Sequence, residues 1–353
     1  MSRNRIAAWN LSVFALSVLV VELIFGNWVF GPDFSSLNVN MNSVRVDRHS
    51  ELYPPGSKVV YTRDRYGLRG DFGDPARIDL LAVGGSTTND RVCDDRDAWT
   101  AVLQRELRSD GWTGYVANAG VDGHSTVGHI RSFDLWFSRI PGLKPQFYLF
   151  YVGVNDRGVA RGTIPQPDSL SSPSLSRRIT SYASNHSFFI QKFRYLAGLL
   201  AARKIGVISG TYRPDRGKVA YVPCRDDGPS RTDEALLDDY RSRLEILQKL
   251  VVARGGRAVY VTQPTGFVKR EEGRIFVAEH SGADAVFREM IGYNRTLMRF
   301  CESAHAICID LAGELSFDER DFYDTVHTTP AGSRKIGLFL AHKLRNVMMP
   351  QGR

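Results

Sequence analysis

The chain is poor in cysteine: four among 353 residues, with no C-x-x-C pair. That excludes a disulfide-stapled miniature scaffold and counts against a zinc knuckle or a thioredoxin motif. It has no internal repeat. Nothing interleaves aromatic and basic residues in a nucleic-acid pattern, so no nucleic-acid partner is expected. The excess of 46 basic over 38 acidic residues, a net +8, then reads as a solvated surface. Such a surface favours anionic lipid heads or acidic glycans over neutral partners. Hydrophobic residues at 43% and charged residues at 24% exclude a disordered, collagen-like or polytopic membrane protein. The length suits one large α/β domain or two small ones.

The amino terminus is the exception to this ordinary composition. Arg3 and Arg5 precede a mostly apolar run from Ile6 to Phe30. A helix would separate Trp9 from Trp28 by about 28 Å, close to the ~30 Å of a hydrocarbon core with an aromatic at each interface. No Arg or Lys follows the run until Arg45. The positive-inside rule therefore places residues 1–5 in the cytoplasm, 6–30 across the membrane as an uncleaved signal anchor, and the remainder outside. In a Gram-negative bacterium that would be the periplasm. Glu22 interrupts the apolar run, about 9 Å from the outer interface. It either meets another membrane helix or is tolerated at that depth. An outside location lets the cysteines oxidise; four allow three pairings, Cys93 with Cys224 and Cys301 with Cys308 being one, and the sequence does not choose among them.

Residues 31–75, rich in Asn, Ser, Gly, Pro and Asp, read as a tether and lead-in to a domain at 76–350. Within it, strand and helix patterns alternate. Short apolar runs at 78–83, 115–117, 147–154, 258–262 and 306–311 read as buried strands. Helical spacing follows at Ala98 to Leu107, Val127 to Phe137, Leu236 to Val251, up to Phe300, and again after Thr329-Pro330, an N-cap and first-turn proline. Residues 157–176 read as a loop, within an insertion reaching about 230. The apolar and basic stretch Phe188 to Lys204 fits a buried helix or one lying on a bilayer. The alternation predicts a parallel sheet covered on both faces. In such sheets, sites gather beyond the carboxyl ends of the strands.

Four segments stand just after predicted strands. Gly84-Gly85-Ser86-Thr87-Thr88-Asn89 offers a hydroxyl on a small loop. It lacks the Gly-Lys-Ser/Thr of a P-loop and, with Thr88 where a second glycine would stand, the G-x-S-x-G elbow. Asn118-Ala119-Gly120-Val121-Asp122-Gly123 carries glycines that let a backbone N–H approach a ligand. Gly153-Val154-Asn155-Asp156 offers a side-chain amide to a developing oxyanion. Asp324-Thr325-Val326-His327 sets a carboxylate three residues before an imidazole. That spacing suits a base whose ring the acid orients. Each segment alone is ordinary turn or cap chemistry. Their conjunction, in this order, is not.

With these four blocks across residues 78–340, the sequence resembles the SGNH (GDSL-type) hydrolase superfamily. The resemblance implies a three-layer α/β/α sandwich, flavodoxin-like, with Ser86, Asp324 and His327 as catalytic residues. It implies an oxyanion hole from Ser86, Gly123 and Asn155, with Gly120 as the fallback glycine, and neither metal nor organic cofactor. The first block departs from Gly-Asp-Ser-Leu, carrying Gly85 for Asp and Thr87 for Leu. The function expected is a serine esterase removing O-acetyl or short acyl groups from an extracytoplasmic carbohydrate or envelope ester. The alternatives are an O-acetyltransferase on polysaccharide, a lipid or thioester hydrolase, or a non-catalytic glycan-binding or assembly component.

Overall fold

The computed structural model describes residues 3–26, 28, 37, 39, 41, 43–47, 52–160, 187–190, 192–193, 220–224, 234–272, 274–279 and 282–349. The loop expected at 157–176 opens instead on a short helix, α5 (Asp156–Ala160); its remainder, most of the insertion to 230 and the stretch 194–204 lie outside the described residues. The chain divides into two compact units, 1–39 with 168–210, and 40–167 with 211–353.

In the first unit, helix α1 (Arg3–Phe25) is long and apolar enough to cross a membrane, and none of its apolar span is buried. It stops short of the expected end at residue 30. Trp28 lies past the helix and donates its indole N–H to Glu22 at 2.9 Å instead of marking the far interface. Its apolar part is the 20 residues from Ile6 to Phe25, about 30 Å long.

The second unit is an α/β domain around five strands: β3 (Ile78–Gly84), β4 (Tyr115–Gly120), β5 (Phe147–Tyr151), β7 (Arg257–Val261) and β10 (Ile307–Ile309). All the pairings are parallel, in the order β10-β7-β5-β3-β4. Counted along the chain this is 2-1-3-4-5, the flavodoxin-like order, whose switch point falls between β3 and β5. The five predicted strands are these five.

Strand alternation decides the layers. Leu80, Ala82, Leu149, Tyr151, Val259 and Val261 pack beneath α3 (Trp99–Ser109) and α9 (Pro330–Met348), against Trp99, Leu103, Leu107, Ile336, Leu340 and Leu344. The alternate residues Tyr148, Phe150 and Tyr260 meet Phe133 and Phe300 on the other face. That layer is α4 (Thr126–Leu135), α6 (Glu234–Val252) and α7 (Ala283–Ala304). The Thr329 hydroxyl caps α9, accepting from the Gly332 N–H, and Pro330 takes the first turn.

Three antiparallel strands, β6 (Tyr221–Pro223), β9 (Arg274–Ala278) and β8 (Val268–Glu271), form a side sheet. A two-stranded sheet, β1 (Ser43–Asp47) with β2 (Val59–Arg63), comes from the expected lead-in. Residues of that stretch are buried in the domain: Val59, Tyr61, Leu68 and Phe72. Cys301 and Cys308 are disulfide-bonded, one of the pairs the sequence allowed, joining the end of α7 to β10. Cys93 and Cys224 are not, which corrects the other pairing. Cys93 lies in the core with its thiol toward Ser333 on α9, whereas Cys224 follows β6 and meets Asp284 on α7.

Candidate active site

β3 ends in Gly84, and Ser86 opens the single-turn helix α2 (Ser86–Asn89). The turn between them needs a glycine. A Cβ on Gly85 would sit 2.1 Å from the Asn155 amide nitrogen and 3.1 Å from the His124 carbonyl oxygen. As the first residues of a helix, Ser86 and Thr87 have N–H groups with no intrahelical carbonyl to meet.

The loop before α9 comes to the same strand end. Ser86 Oγ lies 2.7 Å from His327 Nε2, and His327 Nδ1 lies 2.7 Å from Asp324 Oδ2. An ionised carboxylate only accepts, so Nδ1 carries the proton and Nε2 is left to accept from the Ser86 hydroxyl. The second oxygen of Asp324 accepts from the backbone N–H groups of Val326 and His327, at 2.9 and 2.7 Å. Tyr323 stacks on the imidazole, ring centres 5.6 Å apart and planes nearly parallel.

Charge follows from this packing. Burial raises the Asp324 carboxyl, but the His327 hydrogen bond and charge, with the two backbone N–H groups, outweigh it and hold the carboxyl below its usual range. Burial works the other way on His327 and favours its neutral form. The hydrogen bond and charge of Asp324, helped by Asp122 and Asp90, prevail and lift the imidazole above its ordinary value. An imidazole that gains a proton readily, with an acid fixed behind it, is the arrangement a general base needs.

The second and third blocks meet beside Ser86. Asn155 follows β5, and its amide donates to the His124 carbonyl at 2.8 Å, filling the space that Gly85 leaves. Gly123 precedes His124 with φ +79, a left-handed conformation that favours glycine. Gly120 serves close packing: a Cβ there would come within 2.2 Å of the Asn89 backbone nitrogen. Asn118 ties the strand to α2, donating to the Thr88 carbonyl at 2.5 Å and accepting from the Gly120 N–H at 2.9 Å. Asp156 is buried and accepts from the N–H and hydroxyl of Thr126 and from Arg243, which fixes the turn carrying Asn155 to the start of α4. The structure thus brings Ser86, Asp324 and His327 into one hydrogen-bonded line. Asn155 and the turn holding Gly123 stand at its side.

Four participants were missed in the sequence. Gln263, just past β7, donates to the Thr87 hydroxyl at 2.7 Å and accepts from the Val154 N–H at 2.6 Å, linking the neighbours of Ser86 and Asn155. Arg63, only 4% exposed, donates to Asn89 Oδ1 at 2.6 Å and to the Gly120 carbonyl, and Asn89 in turn donates to Asp122 at 2.6 Å. Arg69 donates to the carbonyls of Asn89, Asp90 and Cys93 and pairs with Asp95 at 2.7 Å. Tyr323 was passed over beside Asp324. A glutamine one residue past a buried strand was a findable signal; the arginines of the lead-in gave none. Among the described residues no group of three or more His, Cys, Asp or Glu side chains converges as a metal site would.

No protein-family model and no curated protein matches the chain. Solved structures similar to it include a member of the lipolytic protein G-D-S-L family from Veillonella parvula, 12% identical, covering 78% of this chain and all (100%) of its own, TM-score 0.43. The aryl esterase of M. smegmatis is similar at 13% identity over 76% of this chain and 98% of its own, TM-score 0.42. So is an acetylxylan esterase from Geobacillus stearothermophilus, at 13% identity over 75% of this chain and 93% of its own, TM-score 0.40.

Proposed function

We propose that the chain is a serine esterase acting through an acyl-enzyme. The observation that carries this is the unbroken line Asp324–His327–Ser86, with both links at 2.7 Å, at the switch point of the parallel sheet. Ser86 Oγ attacks an ester carbonyl while His327 Nε2 takes its proton. Asp324 holds the ring and stabilises the imidazolium. The tetrahedral oxyanion is received by the N–H of Ser86, the N–H of Gly123 and the Asn155 amide. The imidazolium then protonates the departing alcohol, and water attacks the acyl-enzyme with His327 again as base.

The substrate we infer is an O-acetyl or short acyl ester on an extracytoplasmic carbohydrate or envelope component. Its support is topological: α1 as an anchor, with Arg3 and Arg5 in its first turn and no further cation until Arg45. A non-catalytic binding module fits less well, because binding alone does not call for a hydroxyl, an imidazole and a carboxylate in one line. Ser86→Ala should abolish turnover of p-nitrophenyl acetate by the purified protein. Wild-type turnover in that variant would refute the assignment.

A further inference from the structure

Glu22 is the only charged residue of α1 beyond Arg5, and its carboxylate has four donors, all from this chain. Oε1 accepts from the Ser187 hydroxyl at 2.6 Å and the Phe189 N–H at 3.3 Å. Oε2 accepts from the Phe188 N–H and the Trp28 indole, both at 2.9 Å. The Ser187 oxygen also accepts from the Ile190 N–H at 3.2 Å, so a helical turn starts there. The Phe25 ring at the end of α1 lies 5.5 Å from that of Phe188, over which Lys192 places its ammonium, also at 5.5 Å. Phe189, Ile190 and Phe193 remain exposed, Phe193 at 72%.

Each half of this contact answers a need that arises where water is scarce. A carboxylate close to the hydrocarbon boundary is costly unless donors replace its water. The opening N–H groups of a helical turn need acceptors for the same reason. In bulk water neither would call for the other. The exposed apolar residues beyond the contact continue the apolar surface of α1, and a lysine among them can extend its ammonium to the headgroups. We propose that the chain from Ser187 to Phe193 is a second membrane-seated element, its partner the bilayer interface, pinned beside the outer end of α1 by Glu22. This rests on α1 being a membrane anchor and is independent of the chemistry at Ser86.

The test uses the full chain in vesicles of phosphatidylcholine and phosphatidylglycerol. In a Cys224→Ser background, a nitroxide is attached at Phe193→Cys or at Leu16→Cys, and its collisions with oxygen and with a water-soluble nickel chelate are compared. Both labels should favour oxygen, the one at 193 at shallower depth. Glu22→Ala should reverse the preference at 193 toward nickel and leave 16 unchanged, with Glu22→Gln, which keeps one acceptor oxygen, in between. Nickel access at 193 with oxygen access at 16 would overturn the proposal and leave the anchor standing. Access to neither reagent at 193 would overturn it in favour of a protein cover. Nickel access at both positions would overturn the anchor and this inference with it. A 193 label that stays in lipid in Glu22→Ala would overturn the pinning role. Turnover of p-nitrophenyl acetate does not enter the readout, so an inactive enzyme would leave this result intact.

Discussion

At the residue scale, the account turns on which proton sits where. His327 is raised above the ordinary imidazole value of about 6.5, and it must be neutral to take the Ser86 proton. Activity should therefore fall as pH drops through a value above 6.5, seen as the acid limb of kcat/KM for p-nitrophenyl acetate. Asp324→Asn removes the carboxylate's charge and its demand for a proton on Nδ1. The limb should then move to lower pH, and kcat should fall by about 10⁴-fold because the ring takes the wrong tautomer. An unmoved limb would mean that the titrating group is not His327. Ser86, Asn155, Asp324 and His327 were legible because their residue types are scarce enough at strand ends for the conjunction to carry information. The pairing of Cys93 with Cys224 was not, since four thiols in a list contain nothing about which interior each enters.

At the element scale, the site depends on a strand-to-helix turn with no room in it. Gly85→Ala would force a methyl against the Asn155 amide. Turnover should drop about 10²–10³-fold, as for the loss of one oxyanion donor, with little change in melting temperature. A wild-type rate would show that Asn155 need not keep its place. The five strands were read from sequence because strands buried on both faces are continuous apolar runs, as in Tyr148-Leu149-Phe150-Tyr151. The contribution of β2 was hidden for the opposite reason. Val59 to Arg63 ends in a charge, and nothing in the order of residues shows that the guanidinium turns inward to Asn89 and Gly120. Arg63→Met should take the donor from the Gly120 and Gly67 carbonyls at about 1–3 kcal/mol each, while Asn89 Oδ1 keeps the Tyr61 hydroxyl. It should lower the melting temperature and the turnover together.

At the scale of the whole molecule, an α/β domain shares its chain with one long apolar helix among the described residues. Full-length protein should stay with the membrane pellet after alkaline carbonate washing, and protease added from outside should reach the domain at 40–353 while residues 1–5 are protected. Release by carbonate would contradict the anchor. The helix itself was legible from composition alone. Its end was not, because the sequence does not show that Phe25 closes the helix and that Trp28 turns back to Glu22.

The most direct test of the central claim is the site of covalent capture. Intact protein treated with a fluorophosphonate should gain one adduct, mapped by mass spectrometry to the peptide containing Ser86, absent in Ser86→Ala and formed far more slowly in His327→Ala. An adduct on a different serine, or none on folded protein, would contradict the account.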